Sequence, residues 1–397
     1  MVPEIRKAFN AAFSKERYEA YLKELFGIYP GDLVFRVAET PVFIDKAFKQ
    51  KILDACESIV DVIVQPNFKE LTKNAIPDNA RVGNENDFSH FIAFDFGICV
   101  DDEGNFTPQL IEMQGFPTLF AYQILHTEIT RKHFSIPANY DSYLSGFTKE
   151  TYIPFLKEVI IGKHKPENVI LLEIYPEEQK TRIDFRCTEE YVGINTVCLT
   201  KLKANGNNLY YEKDGQKIAV TCIYNRLIFD DLEQQVLPEG TIDITKDWNV
   251  EWCPHPAWFY RISKYTLPLI KSPYVPETKY LSDVKDMPTN LEDFVLKPLF
   301  SFAGQGVVID ITPEDITAIK DPHNWILQRK VKYADVIQTP DIPAKAEIRI
   351  FYFWKEGEAR PIATQNLARL SKGKMIGVRY NADKEWVGGT LAYFEKD

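Results

Sequence analysis

The sequence lacks the features that mark membrane-spanning, secreted and zinc-binding proteins. Its 397 residues contain no stretch of about 18 uncharged apolar residues, so we expect no membrane span. The first fifteen residues mix charged and apolar side chains and lack the continuous apolar segment of a secretory signal. The six histidines show neither HExxH nor HxxxH spacing, which argues against a zinc site.

Paired cysteines and basic tracts are also missing. None of the six cysteines lies in a CxxC pair, and such scattered positions predict reduced, buried thiols in the cytoplasm. The net charge is -10 and no lysine- or arginine-rich stripe occurs, so neither a nucleic acid nor an anionic membrane is an expected partner. A nucleotide is compatible with this charge, because a few lysines and a metal ion are enough to hold its phosphates.

The sequence does contain ample material for folding into several units. Hydrophobic residues make up 45% and aromatic residues 13% of the chain, and its length exceeds what one hydrophobic core supports. Changes of pattern predict an α/β protein with α+β elements in three parts. These are a helical region with a strand hairpin at 1–165, an α/β unit and linker at 166–290, and a strand-rich region at 291–397.

Hydrophobic periodicity predicts the individual elements. We expect helices over Ala8–Leu25, Lys46–Val64, Thr118–His126 and Glu177–Glu190. We expect strands over Phe91–Val100, Gln109–Met113, Asn168–Tyr175, Asn195–Leu202, Asn208–Glu212, Lys217–Ile223, Phe294–Lys297, Val307–Ile311, Trp325–Val331, Glu347–Trp354, Ile362–Leu367 and Met375–Tyr380. The proline-rich, polar segment Ser272–Asn290 is predicted to be a linker.

A lysine followed by a small-residue loop is the most informative local pattern. A predicted strand ends at Lys297, and the loop Ser301-Phe-Ala-Gly304-Gln-Gly306 leads into a Val-Val-Ile segment. Walker and Rossmann loops open a helix, whereas this downstream segment is β by propensity. Such a loop can close its N–H groups over phosphates, with Lys297 reaching the same charge. An ordinary hairpin with a glycine turn is the alternative.

Acidic and amide side chains interrupt two earlier apolar strands. Asp95 lies within the first, and Glu112 and Gln114 share one face of the second. A buried carboxylate needs a partner, which is either an arginine or Mg²⁺ held by hard oxygen ligands. The triplet Asp95-Phe-Gly97 also matches the kinase metal motif, but the preceding residues lack a VAIK lysine and an HRD loop, so we reject a kinase.

Basic side chains follow in the last hundred residues. Glu347 and Arg349 share a strand face and either pair with each other or face a phosphate, which the arginine fork suits. Arg369 and Lys372 lie in a basic loop that is either solvated or forms an anion-binding rim. The segment Trp325–Val331 could offer main-chain groups to an adenine ring, although a partly buried strand is the simpler interpretation.

Together these segments resemble the circularly permuted ATP-grasp ligases, the group that includes eukaryotic glutathione synthetase and bacterial glutathionylspermidine synthetase. In that group an Asp and a Glu-x-Asn metal hairpin come first, a substrate domain next, and a strand–Lys-Pro–glycine loop last. This chain has Asp95 and Glu112-x-Gln114, then an α/β middle, then Lys297-Pro298. The resemblance implies an ATP-grasp fold whose two ATP-binding halves are separated by an inserted α/β substrate domain.

The resemblance also implies roles for single residues. Metal ligands would be Asp95, Glu112 and Gln114, and the carboxylate-recognising arginine would be Arg369, with Arg349 as a further catalytic candidate from its strand face. Nucleotide-binding positions would be Lys264, Lys297, Ser301, Gly304, Gly306, Gln328, Lys330, Val331 and Lys372. Two departures from the family are the longer Gln114 in place of Asn and the absence of an acidic residue in the loop.

The implied cofactors are ATP and Mg²⁺, and the implied activity joins a small carboxylate to an amine, peptide- or polyamine-like substrates among them. The carboxylate would become an acyl phosphate that the amine attacks, with charge neutralisation and alignment carrying catalysis. An inactive relative that binds nucleotide as a sensor or scaffold, or an α/β binding module without a nucleotide site, are the alternatives. Arg226 and Arg261, beside aromatic residues, are either cleft residues or packing residues.

Overall fold

The computed structural model describes residues 2–232, 234–300, 306–373, 376, 381 and 383–397. Within them the chain forms ten α-helices: α1 (Pro3–Ala12), α2 (Lys15–Ile28), α3 (Lys46–Ile63), α4 (Phe68–Leu71), α5 (Tyr122–His133), α6 (Lys149–Ile161), α7 (Arg182–Val192), α8 (Phe229–Leu232), α9 (Ala257–Arg261) and α10 (Pro313–Thr317).

The same residues form eighteen strands in five sheets, which makes the architecture mixed α/β. The strands are β1 (Val42–Ile44), β2 (Phe91–Val100), β3 (Phe106–Gln114), β4 (Tyr140–Asp141), β5 (Val169–Glu173), β6 (Asn195–Cys198), β7 (Lys203–Asn205), β8 (Asn208–Lys213), β9 (Gln216–Val220), β10 (Cys222–Asn225), β11 (Glu251–Cys253), β12 (Thr278–Tyr280), β13 (Phe294–Pro298), β14 (Trp325–Arg329), β15 (Lys345–Phe353), β16 (Ile362–Ser371), β17 (Gly388–Thr390) and β18 (Ala392–Glu395).

The largest sheet is antiparallel and carries a core on each face. Its strand order is β17-β16-β15-β2-β3, so strands from the first third of the chain pair with strands from its end. On one face Phe94 and Ile350 pack with Ile59 of α3. On the other face Phe353 packs with Tyr152 of α6. Because both faces are covered, these strands are almost continuously apolar, and a charged residue within them must find a partner inside the protein.

A parallel sheet occupies the middle of the chain. Its order is β11-β10-β5-β6, and α7 connects β5 to β6 in a strand–helix–strand unit. Three smaller sheets complete the architecture, with the orders β12-β14-β13, β7-β8-β9 and β1-β18-β4.

The strongest periodic signals are confirmed and several boundaries are corrected. The strand over Phe91–Val100 is confirmed at both ends, and helix α3 ends one residue before the predicted Val64. The single helix predicted over Ala8–Leu25 is wrong: α1 ends at Ala12, and the Ser14 side chain accepts a hydrogen bond from the Arg17 N–H to begin α2. The helices predicted at Thr118 and Glu177 begin later, as α5 and α7.

Strand predictions fail where pairing decides the boundary. The segment Lys217–Ile223 is not one strand, because the chain leaves one sheet after Val220 and enters another at Cys222. Val307–Ile311 is not a strand and forms one isolated bridge, between Leu296 and Val308. The predicted linker contains β12, which pairs with β14. The strand predicted over Met375–Tyr380 lies, apart from residue 376, outside the described residues.

Two expectations from composition can be compared with the structure directly. All six cysteines are free thiols, five of them buried and Cys198 half-buried. In the part of the chain that the structure describes, no helix has the length and apolar character needed to cross a membrane.

Candidate functional site

Charged residues line one face of the largest sheet, whose strand order is β17-β16-β15-β2-β3. Glu112 of β3 lies opposite Asp95 of β2, and Asp95 lies opposite Arg349 of β15. In the next row Glu347 of β15 lies opposite Arg369 of β16. Directly opposed residues point to the same face, with Cβ atoms about 4.5–5.5 Å apart. The register of four strands therefore assembles one cluster from two parts of the chain, 91–114 and 345–371, that are far apart in sequence.

Asp95 is held by two arginines. Its side chain is buried, and Arg349 donates from Nε to Oδ1 and from Nη2 to Oδ2, both at 2.5 Å. Arg369 Nη2 donates to the same Oδ2 at 2.8 Å. A carboxylate offers about four lone-pair positions, and three are already used. Of the two partners considered for Asp95 from the sequence, the structure therefore provides arginine.

Glu347 is the second buried carboxylate of the cluster. Arg369 Nη2 donates to its Oε1, and the Tyr333 hydroxyl donates to its Oε2 at 3.2 Å. Burial raises the pKa of Glu347; Arg369 opposes this, and Asp95 and Glu112 add to it. Tyr333 reaches Glu347 by packing on Gly97, where a Cβ atom would lie 2.6 Å from the ring. Nothing near Tyr333 in the sequence signals this role, which depends on a glycine in another strand.

Two lysines complete the cluster around Glu112. Lys297 Nζ, on β13, donates to the Gln328 Oε1 at 2.7 Å and to the Ile111 carbonyl at 3.2 Å. Lys264 begins a 3₁₀ turn and is buried. Burial lowers the pKa of both lysines, that of Lys297 to about 8, while Glu112 raises both. Glu112 thus lies near both ammonium groups, and it is the carboxylate of the cluster to which neither arginine donates.

A glycine at the end of β3 allows Lys264 to approach Glu112. The Gly115 N–H donates to the Ile262 carbonyl at 2.9 Å. A Cβ atom at Gly115 would lie 2.4 Å from the Trp258 carbonyl oxygen, so a larger residue would separate these segments. The chain that leads into Lys264 therefore packs directly against the end of β3.

The predicted adenine segment has its polar groups largely engaged. Gln328 is buried, and its side chain accepts from Lys297 and donates to the Thr278 hydroxyl at 3.0 Å. The Lys330 N–H donates to the Asp293 carbonyl at 2.7 Å. Gln328 therefore positions Lys297, and contacts to an adenine ring would fall to Val331 and to the Lys330 carbonyl.

Arg226 and Arg261 are packing residues in this structure. Arg261 donates to Glu85 from two nitrogens, at 2.8 and 3.1 Å, and Arg226 pairs with the buried Asp184 at 3.0 Å. Arg226 also donates to the Thr118 carbonyl at 2.7 Å, and the Thr118 hydroxyl accepts from Arg349 Nη1 at 3.2 Å. Thr118, which the sequence patterns did not single out, links the parallel sheet to the charged cluster.

The remaining predicted residues lie at the margins or outside the described part. Gln114 is half-buried and lies opposite Ala93, on the same strand face as Glu112. Lys372 Nζ pairs with Asp341 at 2.5 Å. Gly306 has a φ of +73°, which favours glycine, and lies beside Pro298. Ser301 and Gly304 lie outside the described residues.

The cluster has more positive than negative groups. Four cations surround three carboxylates; the cations are Lys264, Lys297, Arg349 and Arg369, and the carboxylates are Asp95, Glu112 and Glu347. If all are ionised, one positive charge is left. Burial makes that excess effective, because charges interact more strongly away from water. The site is therefore suited to an anion.

Arginine pairing distinguishes Asp95 from Glu112 as a place for a divalent cation, because two guanidinium groups already donate to Asp95 and neither donates to Glu112. Among the residues that the structure describes, no group of three or more His, Cys, Asp or Glu side chains is placed to hold a metal. Mg²⁺ commonly binds through one or two carboxylates, with phosphate oxygens and water completing its shell.

Comparisons with known proteins support the fold only. No protein-family model matches the sequence, and no curated protein matches it significantly. A solved structure of a glutathione synthetase-like effector from Globodera pallida, in its apo form, is similar with a TM-score of 0.57. The match covers 97% of this chain and 98% of that chain at 12% identity. The chain therefore has the overall fold of a glutathione synthetase-like protein.

Proposed function

We propose that the chain has an ATP-grasp fold, binds MgATP at the charged cluster and uses it to join a carboxylate to an amine. The observation that carries the proposal is the convergence of Glu112, Lys264, Lys297 and Arg369, which come from four separate segments and meet beside the largest sheet. The fold similarity to a glutathione synthetase-like effector is compatible with it.

Each group has a role that follows from its surroundings. Lys297 and Lys264 would hold the nucleotide phosphates, with Gln328 fixing the Lys297 ammonium through its 2.7 Å hydrogen bond. Glu112 would hold Mg²⁺, which when bound neutralises phosphate charge. Lys297 is half-buried and its ammonium is fixed by two hydrogen bonds, so its charge is aligned before the ligand arrives.

Arg369 would orient the carboxylate that is activated. Its side chain is 37% exposed, and within the described part of the chain its side-chain hydrogen bonds, to Asp95 and Glu347, both start from Nη2. A guanidinium has five N–H donors, so the remaining ones can receive an oxyanion in a fixed plane. Holding the acyl group in line with the phosphate lowers the barrier by alignment rather than by covalent chemistry.

A second candidate function is nucleotide binding without turnover. Asp95, predicted as a metal ligand, is occupied by two arginines, and Gln114 replaces the family's Asn. Both differences would reduce the number of protein ligands for magnesium. A protein of this kind would act as a nucleotide sensor or scaffold.

Calorimetry and an ADP-release assay test both candidates. We expect ATP to bind in a magnesium-dependent manner, and we expect ADP release with one carboxylate–amine pair from a screen of amino acids, dipeptides and polyamines. Binding without release from any pair would favour the non-catalytic candidate. Absence of ATP binding would contradict both and leave an α/β binding module.

The affinity for ATP should fall as the pH rises through about 8. Burial lowers the pKa of Lys297 from 10.5 to about 8; Glu112 opposes this and Lys264 adds to it. A neutral amine cannot pair with a phosphate, so calorimetry at pH 7, 8 and 9 should show progressive weakening. An affinity that does not change across this range would contradict the assignment of Lys297.

Stability should change with pH in the opposite direction. The pKa of Lys297 is lower in the folded protein than in the unfolded chain, so the unfolded chain binds the proton more tightly between about pH 8 and 10.5. The contribution of this group to the free energy of unfolding therefore rises with pH over that window. The difference between wild type and Lys297→Met in urea unfolding isolates this contribution.

A further inference from the structure

We propose that Asp95 is a positioning residue for a pair of guanidinium groups, Arg349 and Arg369, and that this pair receives an oxyanion of the ligand without a metal ion at Asp95. The proposal rests on the proposed function in placing an anionic ligand at the cluster. It differs from the metal-ligand role that the family resemblance implies for Asp95.

The geometry around Asp95 carries the proposal. Arg349 spans both carboxylate oxygens, and Arg369 contacts Oδ2 at 2.8 Å, so one carboxylate joins guanidinium groups from two adjacent strands. Each arginine has a second anchor, Thr118 for Arg349 and Glu347 for Arg369. Arg349 is held through three nitrogens and Arg369 through Nη2 by two carboxylates, so both groups are ordered before a ligand arrives and the ligand need not pay for ordering them.

Exposure decides which arginine faces the ligand. The Arg349 side chain is 12% exposed and the Arg369 side chain is 37% exposed. Asp95 itself is 1% exposed, which leaves Arg369 as the most exposed of the three side chains. An oxyanion would therefore meet Arg369 first, with Arg349 behind it and Asp95 as their shared support.

The test compares two variants, Asp95→Asn and Glu112→Gln. Each removes one negative charge, and the two residues lie opposite each other on adjacent strands. On charge alone, removing either carboxylate should tighten the binding of an anion. If Asp95 positions the arginines, Asp95→Asn should instead weaken metal-free oxyanion binding at least tenfold, whereas Glu112→Gln should bind as tightly as wild type or more tightly. The probes are inorganic phosphate and succinate in EDTA, with affinity measured from the ligand-dependent rise in Tm. The probe that binds more tightly identifies the oxyanion as a phosphate or a carboxylate.

Magnesium dependence supplies the second readout. In ATP binding, Glu112→Gln should raise the magnesium concentration needed at least tenfold, while Asp95→Asn should change it less than twofold. Arg369→Lys keeps the charge but removes the fork, and it should weaken oxyanion binding without changing the magnesium requirement. Asp95→Asn and Arg369→Lys combined should be little worse than either alone, because both act through one group.

Several results would overturn the proposal. The first is a wild-type protein that binds neither phosphate nor succinate in EDTA. The second is an Asp95→Asn variant that binds these probes as tightly as wild type does. The third is an Asp95→Asn variant that raises the magnesium requirement as much as Glu112→Gln does. If the Asp95→Asn variant does not fold, the Arg369→Lys variant tests the proposal in its place. Oxyanion binding by Arg369→Lys that is as tight as in the wild type refutes the proposal. A wild type that binds the probes but no MgATP would refute the proposed function and leave the arginine pair standing.

Discussion

Replacing Lys297 with methionine should weaken ATP binding at least about 100-fold, which is about 2.7 kcal/mol. Methionine keeps an apolar stem of similar length and removes the ammonium that contacts Gln328 and the Ile111 carbonyl. The loss is large because the ammonium is half-buried and fixed by two hydrogen bonds, so water screens its attraction to a phosphate less than at an exposed lysine. Isothermal calorimetry with MgATP measures it directly.

The fold should survive this change. Two acceptors lose a donor, and an unpaired buried acceptor costs about 1–3 kcal/mol, but the burial cost of the charge is also removed. A matched control is Lys279→Met, which removes a 60% exposed lysine from β12 in the same small sheet. That variant should bind ATP like the wild type. Wild-type affinity in Lys297→Met would exclude the lysine from the site.

Replacing Arg226 with methionine should lower the free energy of unfolding by about 3–5 kcal/mol, because it leaves a buried carboxylate unpaired. Asp184 is wholly buried and pairs with Arg226 at 3.0 Å, while also accepting from the Tyr122 N–H at 2.9 Å. The same arginine holds the Thr118 carbonyl. Urea unfolding at pH 7 measures the loss, and Arg329→Met, at a side chain 49% exposed, should cost no more than about 0.5 kcal/mol.

Lowering the pH should partly rescue the Arg226 variant. Burial already raises the pKa of Asp184 from 3.8 to about 6 in the presence of Arg226, which opposes the rise. Without the arginine the pKa should rise further, so the folded variant binds a proton that the unfolded chain does not. The deficit relative to wild type should therefore shrink between pH 7 and pH 5. A deficit that does not depend on pH would show that packing, rather than the unpaired charge, causes the loss.

Several candidate residues could be found from the sequence because they break a local pattern. Asp95 interrupts an apolar strand and Lys297 ends one, and a charge in such a position needs a partner wherever the chain folds. The residues that pair with these charges could not be found from the local pattern. Arg349 and Arg369 lie 254 and 274 residues beyond Asp95, and Tyr333 reaches Glu347 only because Gly97 leaves room for its ring.

The sequence by itself determined whether each long element is a helix or a strand, because the spacing of apolar residues that distinguishes the two involves only residues close together in the chain. It therefore predicted β2 and α3 almost to the residue. Tertiary structure alone decided the break after Val220, the strand inside the predicted linker and the partners of the buried Asp95 and Asp184. Those features depend on which strands pair and in which register, and pairing is set by contacts between residues far apart in the chain.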